Sequence, residues 1–170
     1  MLQLAAMLDP NGIPAPVLTA PSALAYLTEH RTLGEDCSGR GRQASVQDAA
    51  GALRCLRRLS LIDHTPATSH QAVRVHNLIQ RAILDSLPAD QQDRLARTVA
   101  DALADAWPEV ERDTVLASAL RANAEALTSR AYDALWHPDA HFVLNQQKPR
   151  RKRSDHRCHH SLPTAGGRRP

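Results

Sequence analysis

Aromatic side chains are almost missing: 170 residues contain one Phe, two Trp and two Tyr. Strands favour aromatic and β-branched residues, whereas the apolar content here is mostly Ala and Leu, which suit helices. A sheet-rich protein is therefore excluded as the first reading. The three cysteines, Cys37, Cys55 and Cys158, are odd in number and show no CxxC spacing. They offer no disulfide framework, so a reducing compartment is expected. No apolar run approaches membrane-spanning length, and "MLQLAAMLDP" has no basic stretch ahead of a signal-like segment. The expectation is a cytoplasmic protein with no membrane partner.

Lysine is absent from residues 1–145, which carry 13 Arg against 17 acidic residues. Residues 146–170 carry eight basic residues and one Asp, so the overall charge of +3 comes entirely from the tail. A nucleic-acid argument from net charge would be an argument about the tail alone. The seven glycines stand at 12, 34, 39, 41, 51, 166 and 167, and none precedes a lysine. There is thus no GxxxxGK[ST] loop to cradle phosphates and no hydroxyl placed to hold magnesium. GxSxG and HExxH are also absent. The chain is not expected to be an enzyme, and no catalytic residue is assigned.

What is present reads as helix, interrupted once. Residues 2–8 form a short apolar segment stopped by "DPNGIP", and a second helix covers 15–19 or starts afresh at Pro21. The polar, glycine-rich stretch 32–45 is a loop, and Ser45 is a good N-cap for a helix over 46–59. In that helix Ala49, Leu53 and Leu56 share a face, and Cys55 is expected on a buried edge as a free thiol. "SLIDHT" then reads as a strand, "PATSHQ" as a turn and "AVRV" as the returning strand. After His76 the apolar period changes to Leu78, Ile79, Ala82 and Ile83, so a strand runs directly into an amphipathic helix.

This order is that of a winged helix, a three-helix core closed by a β-hairpin. Beyond it the pattern is helical. Leu95, Val99, Leu103 and Trp107 recur every four residues behind Pro88, and Pro108 introduces a segment anchored by Leu116, Leu120 and Leu127. "AYDALWHPDAHFVL" begins a third. The expected architecture is mainly α: a winged-helix domain over 1–87, antiparallel helical hairpins over 88–144, and a disordered basic tail over 145–170.

"LQLAAMLDPNGIP", "ALRCLRRLSLIDHTP" and "VRVHNLIQRAI" together resemble one family. They look like the segment that follows the nucleotide-binding core in NB-ARC regulatory ATPases of the STAND class, actinobacterial members that continue into tetratricopeptide repeats. The resemblance covers roughly residues 2–144. It implies a winged helix used for intramolecular regulation, with a nucleotide-binding core and a helical-repeat domain as protein partners. His76, in Val75-His76-Asn77, matches the histidine of the "MHD" motif of plant resistance proteins. The resemblance implies that it reaches the β-phosphate of ADP in the closed, inactive state. The third motif position is Asn77 where the family has Asp. With no P-loop, ADP or ATP would be held only in the context of a separate nucleotide-binding domain. The expectation is a regulatory piece of a larger switch, and the break in pattern at about 145 suggests a truncated gene or a shifted reading frame.

Residue chemistry alone leaves His76 open. The free amides of a helix start favour an anion, to which an imidazole N–H adds a directed donor. The plainer reading is a histidine that caps its own helix. Arg54, Arg57 and Arg58 lie on the helix that DNA-reading winged helices insert in the major groove. They could contact DNA, or dock another domain, or form a solvated face. His64, His70 and His76 invite a metal, but two imidazoles without a third placed ligand are weak, and no metal site is assigned. "KPRRKR" at 148–153 would attract nucleic acid or acidic lipid through charge alone, and "HRCHH" at 156–160 offers only adventitious metal ligands.

Overall fold

The fold is a computed structural model in which residues 1–30, 43–137 and 139–146 are described. The expectations for the loop at 32–42 and for the basic tail fall outside the described residues, apart from the tail's first two. The architecture is mainly helical. Helix α1 (Leu2–Ala6), α2 (Ala15–Leu18), α3 (Pro21–Glu29) and α4 (Val46–Arg58) precede a hairpin of β1 (Asp63–His64) and β2 (Val73–Arg74). Helices α5 (Asn77–Asp85), α6 (Ala89–Asp105), α7 (Thr114–Trp136) and α8 (Val143–Gln146) follow.

Local chemistry sets both ends of α4. Ser45 Oγ accepts from the Asp48 N–H at 3.2 Å, and Asp48 Oδ2 accepts from the Ser45 N–H at 2.9 Å. This reciprocal capping box satisfies two donors that a helix start would otherwise leave free. At the far end Ser60 turns left-handed, with φ 57°. The Ser60 N–H then reaches the Arg57 carbonyl at 2.9 Å, and the Leu61 N–H reaches Leu56 at 3.0 Å. That is a Schellman stop with serine where glycine is the usual residue.

The stop explains why the first strand is shorter than "SLIDHT" suggests. Leu61 is still bonded back to the helix, so pairing begins only at Asp63, opposite Arg74, with His64 opposite Val73. Val73 turns its own backbone the other way. Its carbonyl accepts from Ile13 at 2.8 Å and its N–H donates to Ile13 at 3.2 Å. The segment between α1 and α2 is thereby tied to the hairpin as an isolated third pairing, a contact the sequence did not announce.

One apolar cluster runs from Leu4 to Val143. Leu95, Val99 and Leu103 of α6 are buried in it, with Ala96, Ala100 and Ala102 allowing close approach of neighbouring helices. Helix α6 packs on α3 and on α7, so the helices after residue 87 bury against those before it.

Two local expectations are corrected. Cys55 is exposed, because α4 buries Ala49 and Leu53, and position 55 lies about 200° around the helix from Leu53. Helix α7 starts at Thr114 rather than at Pro108, because Asp113 Oδ1 accepts from the Val115 and Leu116 N–H groups at 3.0 Å each. The expected helix at "AYDALW" is present: α7 is two helical pieces that meet at a kink at Ala131, where φ is −140° and ψ 41°.

Candidate functional site

At the opening of α5 the backbone goes from buried Val75 to exposed His76 in one step. His76 is extended (φ −61°, ψ 137°) and is the N-cap of α5. Its Nδ1 accepts from the Leu78 N–H at 3.2 Å, while its carbonyl accepts from Ile79 and Gln80 at 2.9 and 3.0 Å. The plainer sequence reading, a helix-capping histidine, describes this geometry. It also fixes the neutral tautomer: Nδ1 is the acceptor, so the proton sits on Nε2. Among the described residues nothing accepts from Nε2.

Leu78, the second residue of the helix, is 72% exposed. The apolar face expected for α5 is therefore corrected. Ile79 and Ile83 are half-buried, Leu78 and Ala82 are exposed, and the fully buried side chain is Gln80.

Gln80 belongs to a polar junction that the sequence reading missed. Its Nε2 donates to the carbonyls of Ala5 and Leu8, at 3.1 and 3.0 Å. Its Oε1 accepts from Arg130 Nη2 at 2.9 Å. Arg130 Nη1 donates to Met7 and Leu8 at 3.1 and 2.8 Å, so side chains from α5 and α7 together satisfy the free carbonyls at the end of α1. Burial weighs against the Arg130 charge and lowers its pKa, while Asp9 partly offsets this. Asn123, fully buried on α7, bonds the Gly12 carbonyl at 2.8 Å and the Asp9 N–H at 3.1 Å. A glutamine spaced between apolar residues was the available signal, and it reads equally well as a surface residue.

The second candidate surface is formed by α4 and the hairpin. Arg54, Arg57 and Arg58 are exposed, as is Arg74 on β2, and none of the four has an ion-pair partner among the described residues. By contrast Arg81, Arg94 and Arg121 are paired with Asp85, Asp90 and Glu111. A groove of about 370 Å³ between α4 and the hairpin is lined by Arg57, His64, Thr68 and Arg74. The pKa of His64 is lowered, first by burial and then by the charges of Arg57 and Arg54.

The three hairpin histidines take separate roles. His76 caps α5, His64 faces the arginines, and His70 Nε2 lies 3.2 Å from Asp113 Oδ2 at the start of α7. Among the described residues no group of three or more His, Cys, Asp or Glu could hold a metal ion. Nor is any helix there long and apolar enough to cross a membrane. No family model, curated protein or solved structure matches the chain.

Proposed function

We propose that this chain is a non-catalytic regulatory module of an NB-ARC, STAND-type signalling ATPase, coupling the nucleotide state of a separate core to a helical-repeat sensor. The observation that carries the reading is the placement of His76. It caps α5 with Nδ1 and keeps Nε2–H uncommitted and exposed, beside an exposed Leu78. An N–H at a helix N-terminus suits a phosphate oxygen, and an exposed leucine beside it suits a protein face. Nucleotide bound to a partner core would meet both at once. The chain itself supplies no phosphate cradle, so it should neither hydrolyse ATP nor hold ADP tightly alone. Reconstitution with a nucleotide-binding core, followed by the rate of ADP release, tests the proposal.

A second reading, a winged-helix DNA-binding regulator, is favoured by the unpaired arginines. Arg54, Arg57, Arg58 and Arg74 present positive charge on α4 and the hairpin, the two elements that winged helices lay on DNA. If this reading is right, replacing Arg54, Arg57 and Arg58 with Glu abolishes DNA binding by a chain ending at residue 145. If only the tail binds DNA, that shortened chain binds none even before the substitutions.

A further inference from the structure

A cleft of about 600 Å³ opens where α5, α6 and α7 meet, with Arg130 and Gln80 among its walls. Its size falls within the roughly 300–1,000 Å³ typical of small-molecule sites. Guanidinium carries five N–H donors, and Arg130 spends both of those on Nη1 and one on Nη2 on Met7, Leu8 and Gln80. The Nε–H and the second Nη2–H have no acceptor among the described residues, and no carboxylate there pairs with the group. Arg130 is exposed and Asp9 offsets only part of the burial penalty on its charge, so its two unused donors suit an anion.

The other charges on the cleft restrict which anion. Asp85 is held by Arg81 at 3.5 Å, but Asp93 of α6 has no ion-pair partner among the described residues. A multiply charged phosphate would gain from Arg130 and be repelled by two carboxylates. A molecule with one carboxylate and one ammonium group suits Arg130 and Asp93, while Met7 and Leu84 add apolar wall to the same cleft.

We propose that this cleft binds a small amino-acid zwitterion, with its carboxylate on the free N–H groups of Arg130 and its ammonium on Asp93. The site is independent of the role given to His76. Backbone amide NMR of the full chain, titrated with L-leucine, tests it. Leucine amide, which lacks the carboxylate, and 4-methylpentanoate, which lacks the ammonium, test each end, and inorganic phosphate serves as the plain anion. Expected are saturable shifts centred on Gln80, Asp93 and Arg130 with L-leucine, and weaker binding of the other three. Arg130→Lys keeps the charge and loses the fork, and should weaken L-leucine about tenfold or more, the scale of a charge-assisted hydrogen bond. Asp93→Asn, a substitution at an exposed position, should reduce L-leucine to the affinity of 4-methylpentanoate and decides the matter should Arg130→Lys fail to fold. No saturable shift, phosphate binding as tightly as L-leucine, or L-leucine affinity unchanged by Asp93→Asn would each overturn the proposal.

Discussion

Arg130 Nη2 donates to Gln80 Oε1 at 2.9 Å, and both side chains also donate to the Leu8 carbonyl. Two helices fifty positions apart in the chain thus close the end of a third. Gln80→Leu roughly keeps the volume but strands one Arg130 donor, and it leaves the Ala5 and Leu8 carbonyls with one partner each, the Leu8 N–H and Arg130. It should destabilise the protein by about 2–4 kcal/mol, the range for breaking a buried hydrogen-bonded network. Denaturant unfolding of Gln80→Leu, Arg130→Met and the double variant would show losses that do not add, with coupling of about 0.5–3 kcal/mol. Additive losses would mean the two residues act separately.

Ser60 holds a left-handed conformation that glycine adopts without steric cost. Ser60→Gly should therefore raise stability by up to about 1 kcal/mol, and should leave the register of Asp63 with Arg74 unchanged. A thermal melt together with the hairpin's amide shifts reports both effects. A loss of stability would show that the Ser60 hydroxyl matters more than its backbone.

His64 gives a pH dependence whose sign is fixed. Its pKa in the fold lies below the ordinary 6.5, so the folded state resists protonation there and the unfolded chain does not. The stability linked to it is fully present above pH 6.5 and is lost as the pH falls through the folded value. His64→Gln should unfold with a smaller drop between about pH 7.5 and 5 than the parent protein does. Arg57→Gln should relieve part of the same drop, because its charge is one of the causes.

Much of this architecture is legible in the sequence. Helix spacing identified Leu95, Val99, Leu103, Leu120 and Leu127 as core, and Ser45 as a cap. The hairpin was readable from its turn, and the strand-to-helix corner from the change of apolar period at His76. What escaped notice depends on geometry rather than on periodicity. Gln80 is buried because the carbonyls of Ala5 and Leu8, in and just after α1, and a guanidinium of α7 await it, which no window around residue 80 contains. Pro108 looked like a helix start, but a stronger cap, Asp113, lay five residues on and held the actual one. Leu78 counted as apolar face, yet it stands exposed beside the very histidine that the resemblance singled out.

The central claim is that His76 works on a nucleotide held by another domain, beyond capping its own helix. In His76→Ala the cap on the Leu78 N–H is lost, costing about 0.5–2 kcal/mol of stability, and the domain should remain folded. The decisive measurement is the ADP off-rate of the chain reconstituted beside a nucleotide-binding core, with and without His76→Ala, at a temperature where both are fully folded. A lost charge-assisted hydrogen bond of about 1.5–3 kcal/mol predicts ADP release faster by about tenfold or more. Equal off-rates from two folded proteins would contradict the account and leave His76 as the cap of α5 alone.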